Sequence, residues 1–298
     1  MITWSDNYIM GIEQFDEEHK QLFKLADQIL EKVKERGDDE KIRKFVIREG
    51  VIYIHNYFLR HAAQEEEYMR KIGYDRYELH KMLHDDFLKI QLVKYKKIAE
   101  NDTCTEKDVY DFIGNGIGWL LQHIATEDMA IVGKGVVSKP KVESINVALL
   151  EQEMNFLFSS ILNIEANAKI MNESYGGEFF GDAVYQKIVY SQEGVENTLI
   201  SGIEQSLVIE VAKILYGDDV EYKMDLVLST LEVFAENFWK TLGRRLLGES
   251  GKIETKSSSF LPGRTIPAEL QKLQPTVSLL FTSDRGKFFV ASNFISPL

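Results

Sequence analysis

Apolar positions in the first 131 residues recur every three or four residues, and this spacing predicts four long helices separated by short polar breaks. Leu22, Phe23, Ala26, Ile29, Leu30 and Val33 form one such stripe, in a helix expected from about Glu17 to Arg36 with Asp16 as its cap. Gly37-Asp38-Asp39 stops that helix and starts the next, expected from about Asp39 to Ile72 and closed by Gly73. A third is expected from about Arg76 to Ala99. After the turn Asn101-Asp102-Thr103, a fourth runs from about Glu106 to Ile131. Residues 1 to 17 precede them as an irregular arm anchored by Trp4, Tyr8 and Phe15. Long helices with short connections predict an up-down-up-down four-helix bundle.

Beyond Ile131 the pattern changes. Gly133 to Lys141 is rich in Gly, Lys and Pro and reads as a linker. The expected division is a four-helix bundle over residues 1–135, a linker over 136–143 and a second domain over 144–298. The second domain opens with a helix from about Ser144 to Leu162. Strand-like alternation follows from Phe179 to Tyr190 and from Asn197 to Ile203, with Ser191-Gln192-Glu193-Gly194 as the turn. Helices are expected from about Glu204 to Tyr216, ended by Gly217, and from about Tyr222 to Leu247. Pro262, Pro267 and Pro275 mark a loop. Thr276 to Thr282 and Lys287 to Asn293 flank the hairpin signal Ser283-Asp284-Arg285-Gly286. This mixture predicts an α+β domain with mainly antiparallel strands.

A length of 298 residues and an apolar content of 44% suit two globular cores. The formal net charge of -12 argues against nucleic acid and against anionic membrane surfaces as partners. Cys104 is the only cysteine, so no intramolecular disulfide forms, which fits a reducing cytoplasm. Met1 to Asp6 carries no signal-peptide pattern, and no apolar run approaches the roughly 20 residues of a membrane span. A cytoplasmic location is the expectation.

The candidate chemistry lies in the helices. His61 and Glu65 are four residues apart, and so are His80 and His84. Residues four apart share one helix face, so each pair aims two donor groups at one point. The turn at Gly73 makes the two helices antiparallel neighbours and brings three imidazoles and a carboxylate to one spot. His19 lies in the first turn of the first helix, and His123 and Asp128 lie in the fourth. Every helix therefore contributes to one candidate metal set: His19, His61, Glu65, His80, His84, His123 and Asp128. Nitrogen-rich donors with a bridging carboxylate suit a middle first-row metal such as iron, not calcium or magnesium. If both carboxylates bridge, and a solvent-derived oxygen bridges as well, one position of two octahedral metals stays open for dioxygen.

A single histidine on a helix is more often a packed core residue than a ligand. Five of the chain's six histidines in one set is a different matter, because burying them with two carboxylates is costly unless something pairs them. The sixth, His55, lies roughly 240° round the helix from His61 and is expected outside the set. The least regular piece is His123 to Asp128, five residues and about 140° apart on an ideal helix. A local π-type turn is needed to bring them together.

Residues 1 to about 135 resemble bacterial hemerythrin. The resemblance rests on Trp4, Gly11-Ile12, Asp16 and His19, on His61-xxx-Glu65-Glu66 with Met69 and Gly73-Tyr74, on His80-xxx-His84 with Phe87, and on Trp119-Leu120 with His123-xxxx-Asp128. It implies a non-haem di-iron centre with an oxo or hydroxo bridge that binds dioxygen reversibly. It also implies that His80, His84 and His123 hold the filled iron, that His19 and His61 hold the iron with the open place, and that Glu65 and Asp128 bridge both.

Residues from about Ser144 onward are similar to the CheX-like chemotaxis phosphatase family. The likeness covers the first helix, the paired strands, Gly202-Ile203-Glu204 leading into a helix that ends Ile214-Leu215-Tyr216-Gly217, and a long helix with Glu236-Asn237-Phe238-Trp239-Lys240-Thr241-Leu242. Members dephosphorylate a receiver-type response regulator with a Glu and an Asn three residues later on that long helix. Aligning Asn237 and Leu242 puts Ser229 and Glu232 on those positions, so the acid and the amide are both absent there. Glu143-xx-Asn146 has the spacing but sits on the first helix. Leu226, Leu228, Leu231, Phe234, Phe238 and Leu242 read as a core or dimer face of the long helix.

Three functions compete. The first is an oxygen or redox sensor signalling through the second domain to a response regulator or other chemotaxis protein, with a homodimer through that domain as a further expectation. The second is a di-iron peroxidase or nitric oxide-processing enzyme. The third is an oxygen-gated phosphatase. The sensor reading leads, because one complete donor set is joined to one docking-type fold.

Overall fold

The computed structural model describes residues 4–36, 39–101, 103–135, 146–192, 194–217, 224–247 and 253–293. By contacts, the described residues up to Gly135 group with Met224–Leu231, and those from Asn146 to Gly217 group with Glu232 to Asn293. The expected linker, residues 136–143, lies outside the described residues. Among the described residues, no helix is long and apolar enough to cross a membrane.

The first unit is the expected helical bundle. Helix α1 (Glu13–Arg36) starts a turn earlier than its apolar stripe suggests. Asp16 is therefore not its cap. The carboxylate of Asp16 instead accepts the Met10 N–H at 2.7 Å and the Gly11 N–H at 3.0 Å, pinning the arm to the helix. The arm seats Tyr8 in the core beside Phe15 of α1's first turn, and Trp4 meets Phe23 edge-on at 5.4 Å. Helix α2 (Glu40–Ile72) is capped by the Asp39 side chain and ends at Gly73, whose φ of 67° is left-handed. The Tyr74 N–H returns to the Met69 carbonyl at 2.9 Å, which satisfies the helix end and reverses the chain.

The third bundle helix is not uniform: α3 (Tyr77–Asp86) passes through a π-type turn at Phe87–Gln91 into α4 (Leu92–Glu100). Periodicity did not announce this turn. The fourth begins at α5 (Glu106–His123), where Thr105 and Asp108 form a reciprocal cap. It continues through the π-type turn Ile124–Asp128 into the short α6 (Met129–Ile131). The turn required by the five-residue spacing stands where that spacing demanded it.

The second unit is α+β. It contains α7 (Val147–Leu162), β1 (Lys169–Asn172), β2 (Ala183–Gln192), β3 (Val195–Glu204), α8 (Gln205–Tyr216), the C-terminal part of α9 (Met224–Leu247), β4 (Ile253–Leu261), α10 (Ile266–Leu273), β5 (Val277–Thr282) and β6 (Phe288–Ser292). The sheet has the order β1-β5-β6-β3-β2-β4, and every strand pair in it is antiparallel. Strand alternation sorts the side chains. Phe288 meets Phe158 of α7 at 5.3 Å, and Tyr190 donates to the Glu236 carbonyl of α9. Neighbouring Phe289 points the other way and packs with Tyr175, Phe180, Tyr185, Ile266 and Leu270.

Several expectations are corrected here. Ser191 and Gln192 belong to β2, with Gln192 opposite Val195, so the connection is tighter than a four-residue turn. Strand β2 begins at Ala183, after the expected Phe179. The stretch from Pro262 holds α10, with Pro267 in its first turn, where a missing N–H costs nothing. Strands β1 and β4 were not expected. Tyr222 and Ser144 lie outside the described residues.

Candidate metal centre

Each donor reaches the bundle interior from its own helix. His19 comes from α1, His61 and Glu65 from α2, His80 and His84 from α3, and His123 and Asp128 from the start and end of the fourth helix's π-type turn. All seven side chains are buried, none more than 5% exposed. They fall into two overlapping donor groups. Glu65, His80, His84, His123 and Asp128 form one, and His19, His61, Glu65 and Asp128 form the other, so both carboxylates are shared.

The atomic arrangement suits a cation better than a hydrogen-bond network. The Nε2 atoms of His80 and His84 are 3.1 Å apart, as are those of His84 and His123. Glu65 Oε2 lies 3.2 Å from the first of these nitrogens and 3.3 Å from the second. Asp128 Oδ1 lies 3.0 Å from His123 Nε2, and Oδ2 lies 3.2 Å from His19 Nε2. Yet both Asp128 oxygens, Glu65 Oε1 and His19 Nε2 have no partner in hydrogen-bond alignment among the described residues. Buried polar atoms left this way are costly, and lone pairs converging from imidazole and carboxylate are what a middle first-row metal takes. The donor set therefore fits a metal pair.

The electrostatics follow from this crowding. Burial pushes the Glu65 carboxyl up and the Asp128 charge adds to that, but the facing His80 and His84 outweigh both and hold it below the carboxylate range. Burial likewise opposes ionised Asp128, and His123 and His19 overcome it. For His84, burial disfavours the imidazolium, while Glu65 and Glu66 together push the ring up to about 9. His123 is lowered, chiefly by burial.

Supporting residues that spacing did not reveal surround the donors. Glu18 Oε2 stands 2.7 Å from His61 Nδ1, and the Tyr57 hydroxyl donates to the Glu18 carbonyl. Glu66 Oε1 stands 3.5 Å from His84 Nδ1. Glu18 holds the far nitrogen of the His61 ring and turns its Nε2 inward as a donor, while Glu66 acts on His84 through its charge, without an aligned hydrogen bond. Trp119 stacks on His123 at 4.4 Å, and Phe58 meets His84 edge-on at 5.4 Å. Glu66 and Trp119 stood in the sequence resemblance without a stated role, and Glu18 had no signal beyond lying next to His19, which is too common to single out. His55 is exposed on the outer face of α2, as expected.

The phosphatase positions give a different result. Ser229 is buried, and its single hydroxyl proton is shared between Asp111 Oδ1 and the Asp225 carbonyl. The Glu232 carbonyl accepts from Gln186. Asn146 is the cap of α7, its side chain accepting the Leu149 N–H, and Glu143 lies outside the described residues.

Residues 10–134 match the model of the hemerythrin HHE cation binding domain. A bacteriohemerythrin of Clostridium acetobutylicum is 30% identical over 128 residues, 43% of this chain and 96% of that protein. The chain belongs to the hemerythrin family. Further relatives of the hemerythrin unit include a bacteriohemerythrin of Campylobacter jejuni, 32% identical over 44% of this chain and 93% of its own length. Hemerythrin subunit alpha of Lingula anatina is 25% identical over 44% and 93% of the two chains. Among solved structures, the chain is similar to the CheX-CheY-BeF3-Mg+2 complex from Borrelia burgdorferi, with 17% identity and a TM-score of 0.34. That match covers 50% of this chain and 97% of the other. A CheC-like superfamily protein from Shewanella matches with 14% identity and a TM-score of 0.34, over 50% and 97% of the two chains.

Proposed function

We propose that the seven buried donors hold two irons that bind dioxygen, and that the second unit passes the oxygen or redox state to a chemotaxis or two-component partner. One observation carries the first part: two donor groups share Glu65 and Asp128, with imidazole nitrogens crowded at 3.1 Å. In this reading His80, His84 and His123 would hold one metal and His19 and His61 the other, with Glu65 and Asp128 common to both groups. The metal pair, when bound, would supply a redox-active centre able to take up dioxygen.

The chain's own residues do the rest. Glu18 fixes the ring of His61, and the Glu66 carboxylate favours positive charge on His84 from 3.5 Å. The phenyl rings of Phe58 and Phe87, 4.7 Å apart, and the Trp119 indole wall the donors with apolar surface that disfavours water.

The second part rests on the sequence likeness of the second unit to a docking-type family. It is proposed to bind a receiver-type partner without efficient phosphatase activity. Ser229 offers neither acid nor amide, and its hydroxyl is already engaged. Ionised Glu232 repels a phosphoryl group. Removing the group that orients an attacking water costs orders of magnitude in rate.

Two experiments test these readings. Anaerobically reduced protein, with iron counted per chain, is exposed to air and then returned to argon. A spectrum that appears and then reverses supports oxygen binding, and a permanently ferric product refutes it. Separately, phosphate loss from a phosphorylated receiver domain is followed with reduced and oxygenated protein. Rapid loss abolished by Glu232→Ala overturns the docking-only reading.

A further inference from the structure

A cavity of about 50 Å³ lies in the bundle core beside the donors. Its walls include Leu22, Phe58, Phe87 and Leu120, and each of these stands three residues from a donor on its own helix: His19, His61, His84 and His123. Three residues are about one helical turn. The wall residue follows its donor on α1 and on the third bundle helix, and precedes it on α2 and α5, which run the other way. All four therefore lie on the same side of the donors, as one layer across the bundle. Ring contacts agree: Phe58 meets His61 at 6.3 Å and His84 at 5.4 Å. A molecule in the cavity is one layer of side chains from the donor set. The lining is aliphatic and aromatic, and the Trp119 indole N–H is the only polar side-chain group on it. One donor does not satisfy a buried water, which needs two to four partners. A cavity of ~150 Å³ lined by Leu, Ile and Phe stays dry and takes benzene or xenon. At a third of that size the fit is a molecule of two heavy atoms with no charge and little dipole. The cavity is thinnest at the seam between α1 and α5. Leu25, Ala26, Gly116 and Trp119 are only half-buried there, and a Cβ added to Gly116 meets no atom within 4 Å.

We propose that this cavity binds one molecule of an apolar diatomic gas, dioxygen, which enters at the α1–α5 seam and is held there before it crosses the Leu22–Phe58–Phe87–Leu120 layer to the donors. No bond is made or broken in the cavity. Its affinity comes from dispersion contacts with the lining, which a molecule of the right size completes. Water gains nothing by competing, because the cavity offers it too few partners. Delivery to the donors rests on the proposed oxygen-binding function, whereas the affinity of the cavity for an apolar gas does not.

Xenon is the probe, because it is apolar and reports on the cavity whatever the iron does. Crystals of the full chain under xenon pressure are expected to show a xenon peak in anomalous scattering against Ile54, Phe58 and Ile117. Two variants fill the space: Ile117→Phe from within the core, and Gly116→Leu from the seam, where the added side chain meets open space. Each is expected to cut xenon occupancy about 10-fold, since a packed core resists further atoms. If Ile117→Phe fails to fold, Gly116→Leu alone decides. In iron-loaded protein, stopped-flow mixing with dissolved dioxygen is expected to show uptake and release both slowed by the same factor, at least about 5-fold, as for any gated passage. Iron per chain and equilibrium oxygen affinity are expected to stay at the parent's values, because a passage changes rates in both directions and a damaged metal site changes affinity. A missing xenon peak, or one that survives both fillings, overturns the cavity as a gas site. Xenon lost with both oxygen rates unchanged overturns delivery. A chain that takes xenon but never oxygenates reversibly refutes the oxygen-binding function, and delivery with it, and leaves the gas site standing.

Discussion

Glu65→Gln isolates the shared carboxylate with almost no change of shape. Glu65 Oε2 faces three imidazole nitrogens, at 3.2 Å from His80, 3.3 Å from His84 and 3.9 Å from His61, and the residue is fully buried. In metal-free protein the substitution leaves the imidazole cluster without one of its two anions. Removing one partner of a buried pair costs about 3–5 kcal/mol. For a unit of this size each kcal/mol moves the midpoint by about 4 °C, so the metal-free variant is expected to melt at least about 10 °C below its parent. The loss is larger with metal, because an amide bridges two cations poorly and stabilisation by bound ligand disappears with affinity. At a metal concentration of 100 times Kd that stabilisation is about 2.7 kcal/mol. The assay is iron per chain and thermal unfolding, each with and without chelator, beside exposed His55→Ala, which is expected within about 0.5 kcal/mol of the parent. Two irons retained by Glu65→Gln, with a midpoint within about 2 °C of the parent, would refute the shared-carboxylate reasoning.

Other substitutions probe separate links. Glu18→Gln leaves the number of donors unchanged but weakens the hold on His61 Nδ1, so metal affinity is expected to fall about 10- to 100-fold, measured by competition with a chelator. Arg245→Ala removes the cation paired with Glu153 between α7 and α9, both side chains no more than 3% exposed, and is expected to cost about 3–5 kcal/mol by denaturant unfolding. Replacing both by apolar residues of similar volume is expected to recover most of that loss. Burial raises the Glu236 carboxyl, partly offset by Lys240, so its folded pKa exceeds the unfolded one. Stability then falls as pH rises through the carboxylate range, and Glu236→Gln is expected to raise the melting midpoint at pH 7 and to leave it unchanged well below the unfolded pKa. A gain of equal size at both pH values would contradict that sign.

The bundle was legible because one period governs each of its helices. Leu22, Phe23, Ala26, Ile29, Leu30 and Val33 declare α1, and the left-handed Gly73 declares the reversal. Even the irregular turn at Ile124–Asp128 was readable, since His123 and Asp128 cannot converge otherwise. The corresponding turn at Phe87–Gln91 displaced no donor pair and so left no mark in the spacing. Strand β4 was silent for another reason. Its sequence Ile-Glu-Thr-Lys-Ser-Ser-Ser-Phe-Leu lies at the sheet edge and is largely exposed, so no alternation of apolar and polar side chains is imposed on it. Strand β1 is four residues long, too short for any period. Helix α10 was hidden by reading Pro267 as a breaker where it serves as a starter. Asp16 was misassigned because a carboxylate that ties a loop and one that caps a helix look alike in sequence. Glu18 and Glu66 act across helices, a relation that linear order does not encode.

Drawing the donors from all four bundle helices has a kinetic consequence. Neither donor group is complete on one hairpin: α2 and α3 supply four of the seven donors, and His19, His123 and Asp128 come from α1 and the fourth helix. If two ions are held as proposed, release of one would require at least two helices to part, and Glu65 and Asp128, common to both donor groups, would then loosen the other. Loss to a strong chelator should therefore follow the slow, strongly temperature-dependent opening of the bundle and show little dependence on chelator concentration. Hydrogen exchange of the amides around His61 and His84 would report the same clock.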